Sequence, residues 1–217
     1  SVFYSSNGSS WTEARNTDSR YATRSGSAFV VFNSKMWSLS GNSNGSPYEW
    51  GIEYSTDGTN WTIYDAGFTF SGYTGHNIWT SVIHTGNNFI AMNQTESETA
   101  SVVTSTDGLT WTSRATPGIT ETWRGIACHN GFVVAVARSG KIMTSSDDGI
   151  TWTLDDQNFS GIQFEGIAYG DNKFVAAIQS SSYGFWVSNV TTDNNYIVTV
   201  SNGVFDLSGT PQPQIDF

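Results

Sequence analysis

Apolar residues along the chain lie in short runs separated by turn-forming residues, and the longest runs recur in a common pattern. In residues 79–92, 123–136 and 164–177, a mixed strand is followed by a Gly/Asn turn and then by a near-continuous apolar strand. Such a run is typical of a strand covered on both faces. Runs rich in Ala, Leu, Glu and Lys are nearly absent, so the pattern predicts an all-β protein.

A second unit, Ser-x-Asp-Gly-x-x-Trp-Thr, occurs four times, at residues 5–12, 55–62, 105–112 and 145–153. The first copy has Asn in place of Asp, and the fourth carries Asp148 as an insertion. The tryptophans at positions 11, 61, 111 and 152 lie 50, 50 and 41 residues apart. This spacing is typical of repeat arrays.

Asp or Asn followed by Gly between two extended runs predicts a hairpin, because Gly accepts a positive φ and the Asx side chain binds its own backbone. The Ser hydroxyl and the Asp carboxylate are expected to accept the free amides of the turn, and the Trp ring to cover it. We therefore expect structural roles for nine residues: Ser55, Asp57, Trp61, Ser105, Asp107, Trp111, Ser145, Asp147 and Trp152.

Two strands of each apolar pair and two strands of each hairpin make one four-stranded antiparallel sheet per repeat. Sheets of this size bury both faces by stacking around a common axis, as blades of a β-propeller. The predicted blades are residues 20–62, 79–112, 123–153 and 164–200. Residues 1–12 carry half a blade, which strand 203–207 is expected to complete as a composite fifth blade within a domain of residues 1–209. In the alternative, the chain is one segment of a longer propeller whose remaining blades lie outside it.

The Ser-x-Asp-Gly-x-x-Trp units resemble the Asp-box, or bacterial neuraminidase repeat, of sialidases, other glycoside hydrolases, sortilin-type receptors and many propellers without catalysis. The longer pattern over residues 123–152 is similar to repeats of bacteriophage tail and fibre proteins and of secreted propellers. Residues 20–58 resemble a kelch repeat, with Ser40-Gly41 in place of the kelch Gly-Gly. The resemblance implies a propeller fold, which hosts many unrelated activities.

The amino-acid composition limits the classes of binding partner and the cellular locations that fit this chain. The net charge of −10, with nine Lys and Arg residues in total, argues against nucleic acid. No apolar stretch is long enough to cross a membrane as a helix. Abundant Ser, Thr and Asn with few Lys is typical of extracellular and virion proteins. The single Cys128 excludes an internal disulfide, and the Pro-containing residues 210–217 predict an extended tail.

No catalytic constellation stands out. A sialidase would need an arginine triad, and the Arg-Ile-Pro motif of that family is missing. Glycoside hydrolysis needs two carboxylates about 5–10 Å apart, and the spacing of the candidates is not diagnostic: Asp65, Glu96, Glu98, Glu121, Asp155, Asp156 and Glu165. The three histidines lack metal-ligand spacing. We therefore expect neither catalytic residues nor a metal or cofactor.

The loops opposite the hairpins vary between repeats, and variable loops usually carry binding. Aromatic rings among small polar residues suit sugars, whose C–H faces stack on them. In the alternative interpretation, the same rings only pack loops against the blades. The candidate ligand-binding residues are Tyr48, Tyr73, His76, Trp123, Arg124 and Tyr183.

These patterns predict a non-catalytic structural or adhesion module, extracellular or on a virion, such as part of a phage tail or fibre. Its partners would be a glycan or a surface protein, together with other subunits of a larger assembly. The alternative is a carbohydrate-active hydrolase fragment or a small secreted lectin. A third hypothesis is an assembly protein that binds no glycan.

Overall fold

The computed structural model describes residues 2–14, 24–42, 50–64, 79–93, 101–117, 121–155, 159, 161–179, 184–187, 189–190 and 196–197. Every regular element assigned in these ranges is a β-strand, which confirms the all-β prediction. No helix in the described ranges is long and apolar enough to span a membrane. The strands in chain order are β1 Val2–Tyr4, β2 Thr12–Ala14, β3 Arg24–Phe32, β4 Lys35–Asn42, β5 Trp50–Ser55, β6 Thr62–Tyr64, β7 Trp79–His84, β8 Phe89–Asn93, β9 Val102–Ser105, β10 Thr112–Arg114, β11 Trp123–His129, β12 Phe132–Ala137, β13 Ile142–Ser145, β14 Thr153–Leu154, β15 Gln163–Gly170, β16 Lys173–Gln179, β17 Gly184–Val187, β18 Asn189–Val190 and β19 Tyr196–Ile197.

Consecutive strands lie side by side in antiparallel sheets. Strands β3–β6 form blade one, β7–β10 form blade two, and β11–β14 form blade three. Strands β15–β17 form the sheet of blade four. Strands β18 and β19 pair in a separate two-stranded sheet, and β18 contacts β16. Strands β1 and β2 form a separate two-stranded half blade.

The first strands of adjacent blades contact one another in order: β3 with β7, β7 with β11, and β11 with β15. This places the first strand of each blade innermost and arranges the blades around an axis, which makes the fold a β-propeller. The predicted closing strand 203–207 and the tail 210–217 lie outside the described residues. A fifth, composite blade therefore stays a prediction.

Apolar layers between adjacent blades form the core. All five residues of β8 are buried. Phe89 and Ala91 pack toward blade one, whereas Ile90 and Met92 pack toward blade three. This double coverage explains why the second strands of blades two, three and four are apolar at consecutive positions.

The first strand of every blade contains a bulge near its beginning, two or three residues into the strand. A β-bulge leaves one residue unpaired and redirects its side chain. The residues left out of register are Gly26, Thr80, Arg124 and Glu165. Between blades three and four the backbones come close after the bulge, since a β-carbon on Gly125 would lie 2.9 Å from Gly166 Cα.

Candidate functional site

The Asp-Gly hairpins lie on one face of the propeller, which we call the hairpin face, and their carboxylates bind their own turns. Asp57 Oδ1 accepts hydrogen bonds from the amides of Thr59 and Asn60 at 2.8 and 2.7 Å. Ser55 Oγ accepts from the amide of Gly58 at 2.8 Å and donates to Asp57 Oδ1 at 3.0 Å. Trp61 Nε1 donates to the Gly58 carbonyl at 3.1 Å.

The second and third complete hairpins have the same arrangement. The indoles of Trp111 and Trp152 each donate to the carbonyl of their turn glycine at 2.9 Å. Asp107 Oδ1 accepts from the amides of Leu109 and Thr110 at 2.7 and 2.6 Å, and Asp147 Oδ1 accepts from the Thr151 amide at 2.8 Å. The hydrogen-bonding capacity of these carboxylates is used largely within the turn.

Hydrogen bonds also keep these carboxylates charged. The pKa of Asp57 is lowered, chiefly by the backbone amide and then by the side-chain amide of Asn60. Burial raises the pKa of Asp107, but the hydrogen bonds from Thr110, Leu109 and Ser105 outweigh it and the pKa is lowered overall. These groups therefore stabilise turns as anions and do not have the raised pKa of a general acid.

The inserted Asp148 connects two blades on the hairpin face. Its Oδ2 accepts a hydrogen bond from Asn87 Nδ2 at 2.9 Å, and its carbonyl accepts from Asn88 Nδ2 at 3.3 Å. The histidines also span blades: His84 stacks on Phe32 of blade one with ring centroids 3.4 Å apart, and His129 stacks on Tyr169 of blade four at 4.1 Å. Within the described ranges, no group of three His, Cys, Asp or Glu residues is arranged to hold a metal ion.

Of the six candidate ligand-binding residues, four lie outside the described residues: Tyr48, Tyr73, His76 and Tyr183. The structure places Trp123 in the core between blades two and three, where its side chain is fully buried. Its neighbour Arg124 is the bulge residue of blade three, and 21% of its side chain is exposed. Burial of Trp123 leaves Arg124 as the described candidate that a ligand can reach.

Arg124 belongs to a polar cluster between blades three and four, on the loop face opposite the hairpins. Its Nε lies 3.9 Å from Glu165 Oε2, and Glu165 is the bulge residue of blade four. Arg138, which directly follows β12, lies 3.9 Å from Glu165 Oε1 through its own Nε. We call this set, with Gln163 and Gln179, the bulge cluster.

Arg138 holds the cluster together across the two blades. Its Nε donates to Gln163 Oε1 at 3.3 Å, and its Nη2 donates to Gln179 Oε1 at 3.5 Å. The backbone anchors it, since the Arg138 amide donates to the Thr122 carbonyl at 2.9 Å. Beside it, Ser139 Oγ donates to Glu121 Oε2, which brings a second carboxylate to the loop face.

The exposure of the bulge cluster suits ligand contact. The side chains of Glu165 and Arg138 are 40% and 46% exposed, and exposed ion pairs stabilise a fold by about 0–1 kcal/mol. Both ion-pair distances are longer than a hydrogen bond, so the Glu165 oxygens keep capacity to accept hydrogen bonds from a ligand. The cluster can therefore offer carboxylate, guanidinium and amide groups to hydroxyl-rich molecules.

No protein-family model matches the sequence, and no curated protein matches it either. Solved structures do match the fold. YCF48 bound to a D1 peptide aligns with a TM-score of 0.56 and 11% identity, over 87% of this chain and 56% of that one. A glycosyl hydrolase from Bacteroides ovatus aligns with a TM-score of 0.53 and 13% identity, over 81% and 70% of the two chains.

A third match comes from the GH130 family of mannoside phosphorylases, which contains glycoside hydrolases that target β-1,2 mannosidic linkages in Candida mannan. It aligns with a TM-score of 0.51 and 12% identity, over 76% of this chain and 66% of that one. At this identity the matches show the propeller fold alone. This chain spans little more than half the length of the YCF48 chain.

The prediction that the chain is not an enzyme is contradicted by these structures. Glycosyl hydrolases share its fold, so repetition of structural hairpins is no argument against catalysis. That prediction rested on the missing sialidase motif and on the absence of a diagnostic spacing among the candidate carboxylates. Two of those candidates, Glu121 and Glu165, lie on the loop face opposite the hairpins. Carbohydrate-acting propellers are thus among the structural neighbours.

Proposed function

We propose that this propeller binds carbohydrate and that the bulge cluster is the sugar-binding site. The observation that carries the proposal is the pair of bulge residues on adjacent first strands, since Arg124 Nε lies 3.9 Å from Glu165 Oε2. Arg138 Nε lies 3.9 Å from the other oxygen of the same carboxylate. Sugar hydroxyls need both donors and acceptors, and the guanidinium, carboxylate and amide groups of the cluster supply both. The glycosyl hydrolases among the structural neighbours support the same substrate class.

Hydrolysis of a glycosidic bond is a second candidate function, favoured by the position of two carboxylates. Glu165 is exposed in the bulge cluster, and Glu121 is hydrogen-bonded to Ser139, the residue next to Arg138. Glycoside hydrolases generally use two carboxyl groups on either side of the scissile bond. We propose Glu165 and Glu121 as the pair to test.

The test combines a glycan array with a panel of reporter glycosides, using the wild-type chain, Glu165→Gln and the control Glu13→Gln. Glu13 is an exposed residue of β2 in the half blade. The control therefore makes the same Glu-to-Gln change at a residue distant in sequence from the bulge cluster. We expect Glu165→Gln to weaken glycan binding at least about tenfold, which corresponds to the loss of one hydrogen bond to a charged group.

Turnover distinguishes the two candidates. Hydrolysis that is lost in both Glu165→Gln and Glu121→Gln would establish the second function, whereas binding without turnover would support recognition alone. The proposal is wrong if the wild-type chain neither binds nor cleaves any glycan. Equal binding by Glu165→Gln and Glu13→Gln would place the sugar elsewhere.

An extracellular or virion location, including a place in a phage tail or fibre, stays a prediction from composition and repeat resemblance. It is compatible with glycan contact, because surface assemblies adhere to cells through sugars. Purification of the native assembly and imaging of its subunits would test it.

A further inference from the structure

Blade one has an apolar face that the described residues cover only in part, since Phe29 meets the Trp61 ring edge-on with centroids 6.1 Å apart. Along β3, Ala28 is buried in the core shared with blade two, whereas Phe29 and Val31 on the opposite side are 49% and 72% exposed. The matching side of β11 carries Ile126, which blade two covers and which is only 4% exposed. The described residues therefore do not form a complete preceding blade at this place.

The half blade β1–β2 supplies only part of that preceding blade. Tyr4 of β1 approaches the blade-one hairpin, since a β-carbon on Gly58 would lie 3.9 Å from Tyr4 Cβ. The hairpin repeat at residues 5–12 makes β1 and β2 the equivalents of a third and a fourth strand. In complete blades the third strand pairs with a second strand on its inner edge, but among the described residues β1 pairs with β2 alone.

The turn glycines indicate which kind of side chain is expected in the strand beside the inner edge of β1. A β-carbon on Gly108 would meet Trp37, and one on Gly149 would meet Ile90; both side chains come from the second strand of the preceding blade. A β-carbon on Gly58 would instead meet Met36 of its own blade at 3.3 Å. The strand expected beside the inner edge of β1 is thus an apolar second strand.

We propose that residues 203–207 of the same chain pair with the inner edge of β1 and cover this face of blade one. Twenty residues follow Ile197, the end of the last described strand. Within them, the five-residue segment 203–207 carries three apolar side chains to match the exposed Phe29 and Val31: Val204, Phe205 and Leu207. Five residues in a strand extend about 16 Å, enough to pair with all of β1. The two ends of the chain would then share one blade and close a ring of five.

Hydrogen–deuterium exchange of the β1 amides tests the closure. Chains ending at Ser201 and at Gly209 are compared with the full chain, and the amides of β8 serve as an internal reference for global folding. We expect truncation at Ser201 to speed exchange in β1 by at least about tenfold, because strand pairing protects amides. Truncation at Gly209, which removes only the Pro-containing tail, should leave the exchange unchanged.

A point variant keeps the test decisive if the shorter chain does not fold. Phe205→Asp in the full chain should speed exchange in β1 while β8 stays protected, whereas Phe217→Asp should have no effect. Exchange in β1 that is the same in all variants would overturn the proposal. Protection that increases with protein concentration, together with a dimer in sedimentation, would assign the face to a second copy and would also overturn it.

Discussion

The turn glycines of the hairpins allow the packing between blades to be measured directly. Gly8, Gly58 and Gly108 have nearly the same backbone conformation, with φ values of 73°, 75° and 75°, but different surroundings. A β-carbon on Gly108 would lie 2.7 Å from Trp37 Cζ3, and one on Gly58 would lie 3.3 Å from Met36 Cε. A β-carbon on Gly8 would meet nothing within 4 Å.

Substitution by alanine therefore separates backbone strain from packing. A left-handed backbone costs an L-residue about 1–2 kcal/mol, and this cost is common to all three sites. At Gly108 the overlap with Trp37 should add about 1–3 kcal/mol. The ring of Trp37 is only 6% exposed and packs against Phe89 and Tyr54 at centroid distances of 5.2 and 5.3 Å, so it has little room to move.

We expect Gly108→Ala to lower the free energy of unfolding by about 2–5 kcal/mol and Gly8→Ala by about 1–2 kcal/mol. Gly58→Ala should fall between them, because the flexible Met36 side chain can shift. Urea unfolding followed by tryptophan fluorescence measures all three, with unchanged m-values as the condition for comparison. Equal losses for Gly108→Ala and Gly8→Ala would refute the packing of the blade-two turn against blade one.

Two further predictions concern titrating groups. Because the pKa of Asp107 is lowered by folding, its charge stabilises the chain above about pH 4 and this contribution is lost as the pH falls through the folded pKa. The stability difference between wild type and Asp107→Asn should therefore shrink on acidification, and a pH-independent difference in urea titrations would contradict this. Burial first, and the charge of Asp148 second, raise the pKa of Cys128, so its alkylation at pH 8 should be slower in the folded chain than in urea.

The hairpins could be predicted from the sequence because their signals are local. Asn7 shows how local they are, since its Oδ1 accepts the amides of Ser9 and Ser10 at 2.9 Å, as Asp57 does in its own turn. The strands covered on both faces could be predicted just as well, because a short continuous apolar run between turn residues is typical of a strand buried on both sides.

The bulge cluster could not be predicted in the same way. Arg138 and Glu165 lie 27 residues apart in the sequence and meet because two blades stack in a particular register. The bulge leaves only a weak local sign, the glycine that follows it in blades three and four. The sequence indicates Arg124 and Glu165 as candidates for separate reasons, but it contains no sign of a site role for Arg138, Gln163 or Gln179.

The bulge position of the four blades shows that the bulge itself belongs to the fold, whereas the side chain at that position can vary and can serve function. All four blades have the bulge, although the bulge residue is glycine in blade one, threonine in blade two, arginine in blade three and glutamate in blade four. In blade two the bulge residue is the uncharged Thr80, which donates to the Met92 carbonyl of its own sheet at 3.4 Å, so the backbone bulge needs no charge. Replacement of the Glu165 carboxylate should then cost about 1 kcal/mol of stability or less. A loss of glycan binding in Glu165→Gln at unchanged stability would therefore report on the ligand and not on folding.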